Sequence, residues 1–540
     1  MLATIAVRLD AYNYEYAWVS SHFAVMARTF NVIGLFDLGL VPVQNNAPLT
    51  DSPDAYLHWP PLYPVLLALL FRFLGEGAVI QHLLSVTLNL VSAALIWRSL
   101  ADRSSDRTAA SLAVLAFLGA PMMFSFGFVG LHLHLAIMLT LLALVLFASN
   151  TGAAARGGDA SRRQILLSVG AVAYFLAVMT SWEPLLAAPA LCFLALLDRH
   201  RQTTLALLLL GFAATAALLS IALLYGSEYP HFAERLWNRA LLRSGESVAL
   251  YPPDYTPHDL QDIVLPNPTD TLTTYVWHGI LSRLPALGML GMLGLAGGLA
   301  CVRAAAEFPR PAIAIYLGSL SMFFLWSILM RNHMGIHEYE MLILLPAAAC
   351  GVGLSCERFL PFRGASSSEP TGRNENPSLQ EARDTIRRRA LVCLAAPFLV
   401  ASSSYATIRD TIGDFTPSNE MIAMAELSKA VLPENAIIAT PYSRMEFVYY
   451  SGRHVIRAIE SEEVLEREQK ATAALCATCP VYLVAGNDAV DAFPSYRHTK
   501  PLAEISNTGA VWRIGNVLDA GRDRGSADSP KDNLITDIEP

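Results

Sequence analysis

Apolar runs long enough to cross a bilayer recur along this chain, and the polar stretches between them alternate in character. Runs at 78–97, 109–127, 131–149, 164–181, 183–197, 203–225, 284–302, 311–330, 340–357 and 390–405 approach the span of a membrane helix, about 20 residues. Every second connection carries arginine: Arg98, Arg103 and Arg107, then Arg156, Arg162 and Arg163, then Arg199 and Arg201, then Arg303 and Arg310, then Arg358 through Arg389. The intervening connections carry His58, Glu183, the stretch from Glu228 to Arg283, and His337-Glu338. Short arginine-rich loops stay on the cytoplasmic side, so the histidine and acid loops face outward.

Met1–Val7 is too short to span alone and reads as the stub of a first crossing, which makes about eleven crossings with residues after 405 outside. The start lacks a positive region, a long apolar core and a small-residue cleavage site, so no cleaved signal is expected. The apolar stretch 60–74 is too short to cross comfortably, and a crossing there would put every later arginine loop outside. It is expected to lie flat on the outer face. Within 14–33, Trp18, Phe23, Met26, Phe30 and Ile33 recur at helical spacing, which predicts a second surface helix.

The expected fold is therefore a polytopic α-helical membrane domain over 1–405, with outer surface helices in a first outer loop over 1–77 and a large outer loop at 226–283. A polar Ser/Pro/Gly segment, 358–389, reads as a cytoplasmic linker without fixed structure. Residues 416–515 read as a small α/β domain: Ser418 caps a helix to Leu432, Ser461 caps one to about Leu475, and 436–440 and 481–485 are buried strands. Residues 520–540 read as a disordered tail.

Composition agrees with a membrane protein: 540 residues are 54% hydrophobic and 16% charged, with mean hydropathy +0.40. The net charge of -8 forms no basic stripe, which argues against nucleic acid. The absence of a Gly-rich phosphate loop argues against a nucleotide-driven pump. Cys192, Cys301, Cys350, Cys356 and Cys393 sit in or beside apolar runs as packing residues. Cys476 and Cys479 form a lone C-x-x-C, which reads as a structural turn or disulfide.

Candidate chemistry lies on the outer face. Asp10 and Glu15 sit near the outer end of the stub, where a carboxylate can take a proton from an acceptor hydroxyl; pairing of Asp10 with Arg8 is the competing role. Arg235, Arg239 and Arg243 recur at i, i+4 and i+8, so on a helix they share one face and can grip a phosphate or lipid headgroups. Glu183 is an acid between two tightly turned apolar runs, and such acids mark sites or caps. His337 and Glu338 occupy a short outer loop, and His58 precedes a Pro60-Pro61 turn that it is expected to orient. His132 and His134 face a cavity or pack.

Several ordered motifs resemble the GT-C superfamily of membrane glycosyltransferases, which includes protein O-mannosyltransferases and aminoarabinose transferases of lipid A. They are Met26-Ala27-Arg28 followed by Gly34, His58-Trp59-Pro60-Pro61-Leu62-Tyr63-Pro64, and Phe73-Leu74-Gly75. Further along come Thr180-Ser181-Trp182-Glu183, Asn332-His333, His337-Glu338-Tyr339 with Leu345-Pro346, and Pro441 through Tyr449-Tyr450-Ser451-Gly452-Arg453. The resemblance implies inverting transfer of a sugar from a polyprenyl-phosphate donor to a glycan, lipid or protein acceptor. It also implies a bacterial inner membrane protein with active site and C-terminal domain in the periplasm. Donor phosphate contacts would come from Arg235, Arg239, Arg243 and His337, and the substrate cavity would include His58, Glu183 and Glu338. Two departures from the family pattern matter, one of them near Leu131, where the family often carries a second acid and this sequence has His132 and His134. The family usually carries an Asp or Asp-Glu pair ahead of the arginine that Arg28 matches, and Val19-Ser20 stands there. Either Asp10 or Glu15 has taken the role of the base, or His22 serves, or the chain is no longer a transferase. No metal motif stands out, and a divalent cation stays open. A multi-span transporter, flippase or other envelope-glycan protein is the alternative, although the paired repeats and broken helices of transporters are not evident.

Overall fold

The computed structural model describes residues 12, 16–46, 55–101, 107–150, 160–192, 201–228, 232–234, 236–237, 240, 280–302, 308–330, 337–359, 395–397, 399–401, 419–442, 444–457, 459, 461–475, 479–486, 492–497, 501–505 and 509–514. The chain forms two compact units: residues 1–44 with 55–417, and residues 45–54 with 418–540.

The first unit is helical. Its described helices are α1 (Ala17–Ile33), α2 (Leu62–Leu74), α3 (Ala78–Ala101), α4 (Thr108–Leu118), α5 (Pro121–Phe126), α6 (His132–Asn150) and α7 (Ala160–Val178). After these come α8 (Arg201–Glu228), α9 (Gly288–Val302), α10 (Arg310–Leu329) and α11 (Leu345–Phe359). Among the described residues, six helical stretches are long and apolar enough to cross a membrane: Ala78–Ala101, His132–Asn150, Leu207–Gly226, Leu281–Val302, Arg310–Leu329 and Glu338–Arg358.

Three stretches differ from the pattern-based expectation. The run 109–127 is not one helix: α4 stops at Gly119, and Pro121 opens α5 because a proline tolerates only the first turn. The run expected to span at 183–197 begins as a 3-10 turn, Glu183–Ala187, with Pro184 in its first turn, where a proline is tolerated. Helix α1 is not one-sided; Ser20, Ser21, Ala24, Ala27 and Thr29 are buried along with its large apolar residues, and it packs on α2. Its short side chains let the backbone approach its neighbours closely.

Between α5 and α6 the backbone is irregular over 127–131, inside an otherwise apolar region. Such backbone survives away from water only when its polar groups are satisfied by protein. Helix α3 supplies the partners from one stripe, at i, i+4 and i+8. Gln81 Nε2 donates to the Gly130 carbonyl at 3.3 Å, Ser85 Oγ to Val129 at 2.9 Å, and Asn89 Nδ2 to Gly127 at 2.8 Å. The Gly130 N–H donates to Ser20 Oγ at 2.7 Å. The serine at the place where the resemblance leads one to expect an acid is thus a buried structural acceptor.

Helices α9 and α11 pack through glycine. A Cβ on Gly294 would strike the Ala348 carbonyl, and one on Gly351 would strike the Gly294 carbonyl. Small residues at these points bring two helix backbones together.

The second unit contains α12 (Asn419–Val431), β1 (Ile437–Ala439), α13 (Met445–Ser451), β2 (His454–Ile456), α14 (Glu462–Leu475), β3 (Val481–Gly486), α15 (Pro494–Arg497), β4 (Ala503–Ile505) and β5 (Gly509–Ile514). The strand order is β2-β1-β3-β5-β4. Strand β1 is parallel to both β2 and β3, and β5 is antiparallel to β3 and β4. Ile437, Leu465, Leu483, Phe493 and Trp512 form its core. Gly452 ends α13 in the left-handed conformation, φ 59°. Cys479 is disulfide-bonded, and Cys476 lies outside the described residues.

Asn45 and Asn46 belong to this second unit although they come from the first loop. Asn45 Oδ1 accepts from the Val455 N–H at 3.0 Å, and Asn45 Nδ2 donates to the Val455 carbonyl at 2.9 Å. Asn46 Nδ2 donates to the carbonyls of Val448 (2.6 Å) and Arg453 (3.0 Å).

Candidate active site

The site is built around one face of α1. Trp18 and His22 stand four residues apart, so they share that face. His22 Nε2 donates to Gln44 Oε1 at 2.9 Å. An amide oxygen only accepts, so this bond selects the tautomer in which Nδ1 carries the lone pair. The His22 ring meets Tyr56 edge-on at 4.5 Å, and Tyr56 meets His58 at 4.9 Å. Trp18 contacts His337 at 6.0 Å, and His337 stacks on Tyr339 at 5.0 Å. His22, His58 and His337 are therefore linked through aromatic contacts to one helix.

The His58-Trp59-Pro60-Pro61 turn is held by its carbonyls, since neither proline has an N–H. Trp182 Nε1 donates to the His58 carbonyl at 2.8 Å, and the Tyr225 hydroxyl donates to the Trp59 carbonyl at 2.8 Å. The Leu62 N–H donates to the Met179 carbonyl at 3.0 Å. It is thus the backbone of His58, more than its ring, that fixes the turn.

Glu183 is wholly buried beside this turn in sequence contact with Trp182, and the Ser181 hydroxyl donates to its Oε2. Tyr174 hydroxyl donates to the Pro184 carbonyl at 2.9 Å, and Ser321 Oγ to Leu186 at 2.6 Å, so the segment is tied from two helices. In the His337 loop Glu338 is exposed, whereas Glu340 has no exposed surface. Sequence reasoning passed over Glu340. Glu338 and Glu340, two residues apart, lie on different faces of the 3-10 turn Glu338–Leu344, one exposed and one buried.

A cavity of about 340 Å³ opens beside the turn. Trp59, Trp182, Trp237, Trp326 and Phe232 line it, together with His58. His132 lies between Phe23 (5.4 Å) and Trp59 (4.5 Å), and His134 Nε2 hydrogen-bonds the Phe126 carbonyl at 3.0 Å. Asp10, Glu15, Arg235, Arg239 and Arg243 lie outside the described residues. Among the described residues, no group of three or more His, Cys, Asp or Glu could hold a metal ion.

The chain matches no protein-family model and no curated protein. It is similar to solved structures over nearly its full length. ArnT from Cupriavidus metallidurans in the apo state superposes with TM-score 0.62 and 14% identity, covering 95% of this chain and 96% of that one. ArnT bound to undecaprenyl phosphate gives 0.61 at 14%, with the same coverage. The archaeal oligosaccharyltransferase AglB from Archaeoglobus fulgidus, in complex with an inhibitory peptide and a dolichol-phosphate, gives 0.52 at 13%, covering 90% of this chain and 68% of that one. This chain thus has the fold shared by ArnT and AglB.

Proposed function

We propose that this protein is a membrane glycosyltransferase that moves a sugar from a polyprenyl-phosphate donor to an acceptor at the outer face of a bacterial inner membrane, with inversion. The observation that carries the reading is the aromatic cavity lined in part by His58, whose ring is joined through Tyr56 to His22 on α1, in a fold whose neighbour ArnT was solved with undecaprenyl phosphate bound. The apolar wall suits an isoprenoid chain, and His58 suits its phosphate.

In this mechanism a base on the α1 side takes the acceptor proton while the acceptor oxygen attacks the anomeric carbon. The carbon–phosphate oxygen bond breaks on the opposite face, and the polyprenyl phosphate leaves with the electron pair. Asp10, Glu15 and His22 are the candidate bases, and His22 is held by its Nε2 bond to Gln44. Negative charge grows on the leaving phosphate, so Arg235, Arg239, Arg243 and His337 are assigned to it. Glu183 and Glu338 are assigned to the substrate cavity, and Glu340 joins them as a buried acid.

The test is transfer of radiolabelled sugar from a polyprenyl-phosphate donor in membranes holding Asp10→Asn, Glu15→Gln, His22→Ala, Glu183→Gln or Arg239→Ala. Loss of the base should slow transfer by about 10²–10⁴-fold. Full transfer by all five variants would remove the proposed site.

A further inference from the structure

We propose that the C-terminal ends of α1 and α2 together form a lipid-inserting tip, which seats in the boundary between the headgroups and the acyl chains of a bilayer. The proposal is independent of the catalytic reading.

The two helices run the same way and end together. The Phe23 ring of α1 meets Tyr63 of α2 edge-on at 4.9 Å. Eight residues further along α1, Asn31 Nδ2 donates to the Ala68 carbonyl at 2.9 Å. Arg28 pairs with Glu76, just past the end of α2. Helix α1 closes at Gly34 and α2 at Gly75, at the same end of the pair.

Apolar exposure gathers at that end. Within α1 the exposed residues are Asn31 and Val32, and within α2 they are Leu69, Arg72, Phe73 and Leu74. Phe36, two residues past Gly34, is 86% exposed, and Phe73 is 78% exposed. Val32 and Leu74 follow at 64% and 63%. Along the rest of the pair the large side chains are buried, among them Met26 and Phe30 of α1 and Leu67 and Phe71 of α2. A helix lying flat on a bilayer bares an apolar stripe along its whole length. This pair bares its apolar side chains at the tip instead. Exposed apolar residues scattered singly are ordinary, whereas a group of this kind marks a surface that meets a partner or a membrane.

The place of the tip in the chain selects the membrane. Only Gly75, Glu76 and Gly77 separate α2 from α3, which is long and apolar enough to cross a bilayer. At full extension Leu74 is no more than about 14 Å from Ala78, the first residue of α3. Helix α3 continues the apolar surface: Leu83, Leu90 and Val91 are exposed on one side, and Gln81, Ser85, Asn89 and Ser92 are buried on the other. The charges agree with a boundary position. Exposed Arg72 precedes Phe73, and a long basic side chain there lays its stem along acyl chains and its guanidinium among headgroup phosphates. Exposed Asp37 follows Phe36, so the tip stops at the boundary, because a carboxylate among acyl chains is costly. Seated this way, the tip sets the height at which α1, with Trp18 and His22, stands against the membrane.

The experiment uses the full-length protein in nanodiscs holding one copy each. Their phosphatidylcholine includes a fraction with a diazirine on the acyl chain. Carbene adducts after photolysis are mapped by peptide mass spectrometry, and hydroxyl-radical oxidation from the water phase is mapped in parallel. Residues 32–36 and 69–74 should carry lipid adducts at a level comparable with residues 83–91. Phe36→Glu combined with Phe73→Glu should lower the tip adducts several-fold while residues 83–91 keep theirs. Adducts on 83–91 but not on the tip would overturn the proposal: heavy oxidation of Phe36 and Phe73 would place the tip in water, and protection from both probes would mean that protein covers it. Unchanged tip adducts in the double variant would overturn it as well.

Discussion

The irregular segment 127–131 allows a sharp comparison of two buried hydrogen bonds that look alike. Asn89 Nδ2 donates to the Gly127 carbonyl at 2.8 Å, and Thr140 Oγ1 donates to the Ala136 carbonyl at 2.7 Å. Both side chains are at most 3% exposed. Asn89→Leu and Thr140→Val each remove one such bond with little change of shape. The carbonyls left behind differ. Ala136 lies within α6, and its carbonyl keeps the i+4 helical bond. Gly127 lies past the end of α5, so its carbonyl has no continuing helix to supply an i+4 N–H in place of Asn89. Thr140→Val should therefore cost no more than about 0.6 kcal/mol, the usual worth of a side-chain bond in a membrane bundle. Asn89→Leu should cost about 1–3 kcal/mol, the penalty of an orphaned buried carbonyl. Titration with a denaturing detergent in mixed micelles, followed by tryptophan fluorescence, gives both values. Costs within about 0.3 kcal/mol of each other would refute the reasoning, because independent small effects agree only to that level.

Other consequences can be checked on the same preparation. Gly294→Val should drive a side chain into the Ala348 carbonyl and separate α9 from α11, with a loss of roughly 3 kcal/mol or more, read as loss of folded protein in the membrane fraction. Trp182→Phe keeps the aromatic wall and removes only the bond to the His58 carbonyl, so transfer should fall by about fivefold for roughly 1 kcal/mol, read as kcat/KM. Gly452→Ala places a Cβ at φ 59°, which should cost about 1 kcal/mol in the second unit, read as a lower Tm.

The parts of the fold that periodicity marks were legible in the chain. Strands β1 and β3 stand where continuous apolar runs predicted them, because both are central and buried on two faces. Strands β2 and β4 are three residues long and carry His454 and Glu504, too short and polar for any pattern. The break between α4 and α5 was hidden because both flanks are equally apolar; only Pro121 hinted at it. The α1 face, the His58 turn and the Glu183 segment were readable as motifs, since they combine polar residues with apolar surroundings. Gln44, Asn45 and Asn46 were not, because loop amides carry no periodic signal, and the partners of the two asparagines lie some 400 positions away, at Val448 to Val455.

The pairing of Asn45 with Val455 also constrains how the chain threads a bilayer. Two segments that fold into one sheet unit must emerge on one side, so the number of crossings between residues 46 and 419 is even. An expectation of ten crossings from 78 to 405, read from the sequence, would meet that parity. Counting Leu62–Leu74 as one more would violate it, unless another run were also gained or lost.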